Sequence, residues 1–309
     1  MVRKILSEVI VHGKPLIPLL KNGSKEKVAL VVTGGGMQGC RSGGMVCGLE
    51  ELGMRTRFNA VYAVSSGAAN AIYFLSGKAA SAAHLYYKHI VRDEFASIIR
   101  WPIVNLDYVI GLMTNQMPIS IDEMKKSGCT LKITATNKHG EGEFFTVEDE
   151  IPAEVAMKVT MSIGFWAGKG VLWKGEKYYD GMVAEPIPYK KVIEDGYRNI
   201  LVLLNMPLKW NDKEDNIFLK TIKKPWLNKE HPKFKKAYLL RQRRYRQQLH
   251  EILAGKFDGK INITVIAPSD ACTNLPFYTK NQKIIEKAID EGIGIIGEAF
   301  NVPMQIKIS

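Results

Sequence analysis

KVALVVTGGGMQG, residues Lys27 to Gly39, joins a short apolar run to three successive glycines and then to a segment with helical spacing. The β-branched run Lys27–Thr33 predicts a buried strand, and Met37–Leu52 predicts the helix that follows it. Three glycines let the backbone turn where Cβ atoms would clash. Exposed N–H groups at the start of such a helix form an anion site, suited to a phosphate or to an oxyanion.

A second strand-to-helix junction follows. The predicted strand Phe58–Val64 ends at Ser65, and a helix of small residues, Ala68–Ser76, leaves it. This is the layout of a nucleophile elbow, G-x-S-x-G, with Ala63 in place of the first glycine. Small residues are needed there because the sharp turn brings the strand and helix backbones together, so Ala63 and Gly67 are expected to support the elbow. A serine that merely caps the helix is the alternative interpretation.

The third junction is Asp180-Gly181, which follows the short predicted strand Lys177–Tyr179. Such a turn is often only structural. A nucleophilic serine, however, needs a base within hydrogen-bond reach, and that base is usually a histidine. The six histidines are His12, His84, His89, His139, His231 and His250. None follows a core strand in a late loop, so the carboxylate of Asp180 is the better candidate for the base of Ser65.

The remaining pattern alternates strands with helices. Further strands are predicted at Cys129–Thr136, Glu143–Val147, Asn199–Asn205 and Ile261–Ala267, and further helices at Ser81–Val91, Ile151–Ser162, Tyr189–Asp195 and, with glycine interruptions, Asn281–Phe300. This alternation predicts an α/β fold with a mainly parallel central sheet and helices on both faces. We expect a polar N-terminal lead-in at 1–26 and a single domain at 27–309, with a basic, partly helical insertion or cap at about 208–258.

The glycine loop also satisfies G-x-G-x-x-G, the fingerprint of a dinucleotide-binding fold. That fold requires an acidic residue at the end of the next strand, about 20 residues further on, to hold a ribose hydroxyl. The next strand ends in Val64, Ser65 and Ser66 and offers no acid. A nucleotide-dependent enzyme is therefore disfavoured, and a purely structural turn remains the other alternative.

The formal charge of +12 is concentrated in one segment. Between Lys220 and Arg246 there are eleven lysines and arginines and one acid, Glu230, which gives that segment a charge of +10. It is either a solvated basic helix packed by an apolar stripe or a surface that docks on anionic lipid headgroups. The candidate membrane contacts are Arg241, Arg243, Arg244 and Arg246. Nucleic acid is an unlikely partner because no nucleic-acid-binding motif accompanies the charge, and the sequence points to no protein partner.

The four cysteines, Cys40, Cys47, Cys129 and Cys272, form no CxxC pair and no metal-ligand spacing. We expect neither a metal nor a cofactor. The N-terminal residues do not resemble a signal peptide, because Glu8, His12 and Lys14 interrupt any apolar core. No run of about 18 apolar residues occurs, and a cytoplasmic protein, possibly peripheral at the membrane, is expected.

Taken together, the three junctions resemble the patatin-like phospholipase family, whose pattern is G-G-G-x-x-G, then G-x-S-x-G, then D-G-[GA]. The resemblance runs from about Lys27 to Asn205. It implies a patatin-like three-layer α/β architecture, a Ser65–Asp180 dyad without histidine, no metal, and hydrolysis of lipid acyl esters by a phospholipase, lysophospholipase or esterase. The oxyanion hole that it implies involves Gly34, Gly35, Gly36 and Gly39.

This chain departs from the family pattern at three positions. Ala63 replaces a glycine, Gln38 stands where many members carry Arg or Lys, and Met182 replaces the usual small residue after Asp-Gly. The last two bear on the charge near the glycine loop and on the geometry at Asp180. They bear on the substrate more than on the reaction class. A non-catalytic lipid- or anion-binding protein on the same fold, with the dyad present but unproductive, is the main alternative function.

Overall fold

The computed structural model describes residues 5–23, 25–97, 99–209 and 217–304, with the backbone alone for 217–220. Within these residues nine strands form one sheet. They are β1 (Ser7–His12), β2 (Val28–Val32), β3 (Ala60–Ala63), β4 (Thr130–Asn137), β5 (Gly142–Thr146), β6 (Val171–Trp173), β7 (Glu176–Asp180), β8 (Asn199–Leu203) and β9 (Asn262–Pro268).

The helices alternate with these strands. They are α1 (Leu16–Lys21), α2 (Gly39–Glu51), α3 (Ser66–Leu75), α4 (Ala79–His84), α5 (Leu106–Gly111), α6 (Ile121–Lys126), α7 (Ala153–Met161), α8 (Gly164–Ala167), α9 (Tyr189–Glu194), α10 (Ile217–Leu227), α11 (Pro232–Ala254) and α12 (Gln282–Ala299). Short 3₁₀ turns lie at Gly36–Gln38, Met54–Thr56 and Gly181–Val183, and π-helical turns at Leu85–His89 and Leu112–Gln116.

The strand order is β1-β9-β8-β2-β3-β4-β7-β6, with β5 also paired to β4. The five strands from β9 to β4 are mutually parallel, and β1, β5, β6 and β7 run antiparallel to their neighbours. In the parallel register Val32 lies opposite both Ala63 and Leu203. The loops that follow β2, β3 and β8 therefore leave the same edge of the sheet, and the predicted mainly parallel sheet is confirmed.

Each face of the sheet carries its own apolar layer. Along β2, Val28, Leu30 and Val32 pack into one cluster with residues of α2, α3 and α12. The alternate residues Ala29 and Val31 pack into a second cluster with residues of α9 and α11. This period-two alternation is what a strand buried on both faces produces. The predicted three-layer arrangement, with helices on both faces, is confirmed.

The N-terminal segment differs from the predicted polar lead-in. Ser7–His12 forms β1, an edge strand that pairs antiparallel with β9, and Leu16 and Leu20 in the following helix are buried. In this strand Val9 and Val11 stay exposed and Ile10 is only half-buried against the second apolar layer, so its apolar residues do not alternate as those of a strand with one buried face do. The sequence alone could not distinguish such an edge strand from a loop, because its pairing rather than its burial holds it in place.

The described part of the basic segment, predicted as an insertion or cap, packs onto the rest of the domain. Tyr245, Leu249 and Ile252 of α11 belong to the second apolar layer. Phe234 and Tyr238, nearer the start of the same helix, form a third cluster with residues of β7 and α10. Residues 210–216 of the predicted insertion lie outside the described residues.

Two glycines set the distance between α2 and α12. A Cβ atom at Gly44 would overlap the carbonyl oxygen of Ile289, and one at Gly292 would overlap that of Arg41. The sequence predicted that glycines would interrupt the last helix, but α12 is continuous from Gln282 to Ala299. Its glycine at position 292 instead allows the backbones of the two helices to touch.

We expect Gly44→Ala to lower the free energy of unfolding by about 3 kcal/mol, because the new methyl group must push against backbone that cannot rotate away. Gly111 in α5 is a matched control, since a Cβ atom there meets no other atom within 4 Å. Gly111→Ala should raise stability by about 0.5 kcal/mol through helix propensity. Urea denaturation of both variants measures the difference, and equal stabilities would contradict the packing argument.

Candidate active site

Ser65 occupies a strained turn between β3 and α3. Its φ of 53° and ψ of −129° lie in a region that non-glycine residues rarely adopt, at a cost on the order of 1–3 kcal/mol. The turn is held by the Ser65 amide, which donates to Thr160 Oγ1 at 2.9 Å, while the Thr160 hydroxyl donates to the carbonyl of Thr134 at 2.7 Å. The elbow predicted from the sequence therefore exists as a geometric feature.

The residues that flank the elbow are small for a steric reason. A Cβ atom at Gly67 would lie 2.5 Å from the carbonyl oxygen of Val32. Likewise, a Cβ atom at Gly34 would lie 2.5 Å from the carbonyl oxygen of Val64 and 2.6 Å from Ser65 Cβ. Ala63 is fully buried in the first apolar layer, so its methyl group is accommodated where the family pattern has glycine.

Asp180 ends β7 and meets Ser65 directly. The Ser65 hydroxyl donates to Asp180 Oδ2 at 2.7 Å, and the Met182 amide donates to Oδ1 at 2.8 Å. The Asp180 backbone is fixed too, because its amide donates to the Ser162 carbonyl at 2.9 Å and its carbonyl accepts from Thr136 Oγ1 at 2.7 Å. Only the amide of residue 182 is used, so methionine at that position leaves the carboxylate's hydrogen bonds intact.

Burial makes Asp180 an unusually weak acid. Its side chain has no exposed surface, and loss of hydration raises its pKa from 3.8 to about 7. The hydrogen bonds from Ser65 and from the Met182 amide act in the opposite direction by stabilising the carboxylate. A carboxylate with a pKa near neutrality can accept a proton and is still ionised in a large fraction of molecules at pH 7.

Hydrogen bonds do not connect histidine to this pair. Within the described residues, the partners of the Ser65 and Asp180 side chains are each other and the Met182 amide. His231 caps the start of α11 by accepting from the Lys233 amide, and its ring packs against His139 with centroids 4.7 Å apart.

The predicted oxyanion glycines fall into two groups. The Gly35 amide donates to Ser66 Oγ at 3.1 Å, and the Gly39 amide donates to the carbonyl of Gly36, so both are engaged in this structure. The amides of Gly34 and Gly36 have no acceptor within the described part of the chain. Gly36 also lines the cavity that contains Ser65.

Several supports of the glycine loop were not recognised from the sequence. Arg41 is fully buried, pairs with Glu291 at 3.3 Å and donates to the carbonyl of Asn205 at 3.1 Å. The Asn205 side chain in turn donates to the carbonyl of Gly34 at 2.9 Å. An arginine on a helix of small residues is the one signal that could have revealed this network. Gln38, in place of a cation, donates to the carbonyl of Leu275 at 3.2 Å.

An apolar cavity that is open to solvent has Ser65 in its lining. Gly36 and Ser66 also line this cavity. Most of the other lining side chains are hydrocarbon, and they include Leu85, Ile90, Val104, Val109, Met161 and Ile163. An apolar lining of this kind favours hydrocarbon groups over polar ones next to the serine. No three His, Cys, Asp or Glu side chains among the described residues are grouped so that they could hold a metal ion.

The four arginines predicted to contact a membrane do not form one free face. Arg241 lies over the ring of Tyr238, 4.4 Å from its centroid, and Arg244 donates to the carbonyl of Val183 at 3.1 Å, close to Asp180. Arg243 is exposed and Arg246 is half-buried. Among the helices described, none has the length and apolar character needed to cross a bilayer.

Comparisons of sequence and of structure align this chain with several known proteins. The uncharacterized protein YjjU of Escherichia coli (strain K12) is 25% identical over 192 residues, which is 59% of this chain and 52% of the relative, so the match spans about half of YjjU. VipD from Legionella pneumophila aligns over 96% of this chain and 71% of its own, with 12% identity and a TM-score of 0.47. ExoU from Pseudomonas aeruginosa, solved with SpcU, aligns over 85% of this chain and 56% of its own, with 13% identity and a TM-score of 0.33.

The sequence profile of the family described as patatin-like phospholipase matches residues 30–193, more than half of the chain. The matched region begins within β2 and includes the glycine loop, the Ser65 elbow and Asp180. The chain belongs to the patatin-like phospholipase family.

Proposed function

We propose that this protein is a serine hydrolase that cleaves acyl esters of lipids, as a phospholipase, lysophospholipase or esterase. The observation that carries the proposal is the 2.7 Å hydrogen bond from the Ser65 hydroxyl to the buried carboxylate of Asp180, where Ser65 also lines an apolar cavity. Membership of the patatin-like phospholipase family supports the same reaction class.

In the first half of the reaction Asp180 takes the proton from Ser65 as the hydroxyl oxygen attacks the ester carbonyl carbon. The carbonyl electron pair moves to oxygen and forms a tetrahedral intermediate. When this intermediate collapses, the bond to the alcohol oxygen breaks, and Asp180 returns the proton to that oxygen. An acyl-serine remains, with the acyl chain in the apolar cavity.

The developing oxyanion needs N–H donors near Ser65. The Gly34 and Gly36 amides, which have no acceptor within the described residues, are the donors we assign first. The Gly35 amide can join them when the Ser66 hydroxyl, which now accepts it, turns away. One such donor is worth about 10²–10³ in rate.

In the second half, water attacks the acyl-serine while the carboxylate of Asp180 takes a proton from that water. The fatty acid leaves, and the proton returns to Ser65. Both Ser65 and Asp180 are buried, so the carboxylate works in a medium where it is a stronger base than in water. The proposed steps use only side chains and amides of this chain.

Ser65→Ala should lower ester hydrolysis by about 10⁴-fold or more and abolish labelling by a fluorophosphonate probe, because among the described residues Ser65 supplies the hydroxyl that donates to Asp180 Oδ2. Ser127→Ala is the matched control, since Ser127 is also buried but donates to the carbonyl of Met124. Ser66→Ala should have a far smaller effect, because it removes the acceptor of the Gly35 amide and not the nucleophile. Wild-type turnover in the Ser65 variant would refute the elbow assignment.

Asp180→Asn should be nearly as inactive as Ser65→Ala, because an amide of the same shape cannot take the serine proton. The double variant should be little worse than either single one, since the two side chains act as a unit. Turnover of a p-nitrophenyl ester measures all three. Replacement of each of the six histidines in turn should leave activity, and one inactive histidine variant that still folds would indicate a conventional triad.

The pH dependence of kcat/KM should report the buried carboxyl. Asp180 is active as the carboxylate and its pKa is raised to about 7, so kcat/KM should fall as pH drops below about 7 and level off above it. Burial also raises the pKa of Glu50 to about 7, and Glu50 accepts from the Ala79 amide rather than from Ser65. Glu50→Gln should therefore keep the same pH profile. If the fall in kcat/KM near pH 7 disappeared in that variant, the titrating group would be Glu50 and not Asp180.

A further inference from the structure

Among the side chains that the structure describes, exposed large aromatic residues lie in two loops. In the part of the chain whose side chains are described, the strongly exposed large aromatic residues are Trp101 at 48%, Tyr278 at 40% and Phe277 at 37%. They lie in the loop before α5 and the loop before α12. Ile99, in the first of these loops, is 94% exposed. We refer to these four side chains as the mouth rim.

Two of the four mouth-rim side chains, Phe277 and Tyr278, lie at the opening of the cavity that contains Ser65, and Ile99 and Trp101 lie in the neighbouring loop. Phe277 and Tyr278 line that cavity and are also exposed, so they lie where it meets solvent. Phe95 and Val104, in the first loop, line the same cavity. The two loops contact each other, because the Tyr278 hydroxyl donates to the carbonyl of Ala96 at 3.4 Å. A salt bridge between Lys280 and Asp93 joins them a second time.

Backbone contacts close the base of the first loop. Ala96 and Val104 form an isolated bridge at its base, and the Ser97 amide donates to the carbonyl of Ile103 at 2.9 Å. The Trp101 indole is tied to the carbonyl of Phe165 at 3.2 Å. These contacts fix the base of the loop and Trp101, and Ile99 is exposed to solvent. Exposure of an apolar tip to water is unfavourable, and the free energy of the protein falls when an apolar partner covers that tip.

Positive charge accompanies the apolar rim. Lys88, Arg92 and Arg100 lie on or next to the first loop, where Glu94 is the one acid besides the paired Asp93. Long basic side chains beside exposed tryptophan and tyrosine are typical of surfaces that enter the headgroup region of a bilayer. The cations then face anionic lipid headgroups while the rings reach the acyl boundary.

We propose that the mouth rim docks this protein on a lipid bilayer. The cavity then opens into the acyl region, and a lipid chain reaches Ser65 without crossing water; this last step rests on the proposed function. The rim takes the place of the predicted contact through Arg241, Arg243, Arg244 and Arg246. Arg244 is engaged with Val183, and α11 packs an extensive face on the sheet.

The test uses Ser65→Ala protein, so that binding is measured without hydrolysis. Sedimentation with phosphatidylcholine vesicles, with and without phosphatidylglycerol, compares this protein with a variant that adds Ile99→Ser and Trp101→Ser. The rim variant should bind about tenfold or more weakly to both vesicles. The matched control adds Ile222→Ser and Leu239→Ser, which remove exposed apolar groups from α10 and α11 (40% and 55% exposed), and should bind as the parent does.

Charge and insertion are measured separately. Lys88→Gln with Arg92→Gln should weaken binding to the anionic vesicles alone. Brominated lipids should quench the tryptophan fluorescence of the parent, and Trp101→Phe should remove that quenching. If the double variant does not fold, Ile99→Ser alone replaces it in the test. Ile99 is nearly fully exposed, so this single change should leave the fold intact and still weaken binding to the vesicles.

Four results would overturn the proposal: a parent that binds neither vesicle, rim variants that bind as the parent does, a control that loses as much binding as the rim variant, or quenching that survives Trp101→Phe. Soluble-ester turnover is measured in the rim variant with Ser65 restored and should be retained. Vesicle binding by a protein that hydrolyses no ester would refute the proposed function and leave the docking surface standing.

Discussion

The hydrogen bond between Ser65 and Asp180 joins two side chains that lie 115 residues apart and are both buried. It can form only because β3, β4 and β7 are neighbours in the sheet, since Ser65 follows the first of them and Asp180 ends the last. A buried carboxylate opposes folding because it loses its hydration. Two hydrogen-bond donors compensate in part, and the remaining cost appears as a pKa near 7. In the proposed mechanism that cost is useful, because it makes the carboxylate basic enough to deprotonate an alcohol.

The backbone of Ser65 is strained, and contacts with neighbouring residues stabilise it in that conformation. Ser65 keeps a positive φ because Thr160 anchors its amide and because Gly67 lets α3 begin against the end of β2. On the other side of the serine, the glycine loop is held by Asn205 and, through it, by the buried Arg41–Glu291 pair. A buried ion pair contributes little net stability. Its value here is positional, since it ties α2 and α12 to the loop that faces the nucleophile.

The basic segment, Lys220 to Arg246, also contacts strand β7, which carries Asp180. Phe234 of α11 stacks on Tyr179, with ring centroids 3.9 Å apart, one residue before Asp180. Glu230 accepts hydrogen bonds from Lys177 and from the Tyr179 hydroxyl. A segment conspicuous for its charge thus braces β7 through its aromatic and acidic residues. Its net charge, which dominates the composition, says little about which surface meets a partner, because several of its cations already have contacts inside the protein.

From the sequence alone, local patterns identified the buried parallel strands, the glycine turn, the elbow at Ser65 and the strand-end Asp180, because each is a feature of a few consecutive residues. Edge strand β1 escaped notice because pairing rather than burial holds it. The Arg41–Glu291 pair joins residues 250 positions apart, so although an arginine among small residues hints at a buried partner, no local pattern identifies Glu291 as that partner. The tertiary structure alone decided that the Gly35 and Gly39 amides are engaged and that Phe277 and Tyr278 lie at the mouth of the cavity, and it brought Ser65 within hydrogen-bond distance of Asp180, the base predicted for it. These depend on which strands are neighbours and which backbone groups find partners, and such relations arise only when the whole chain is packed.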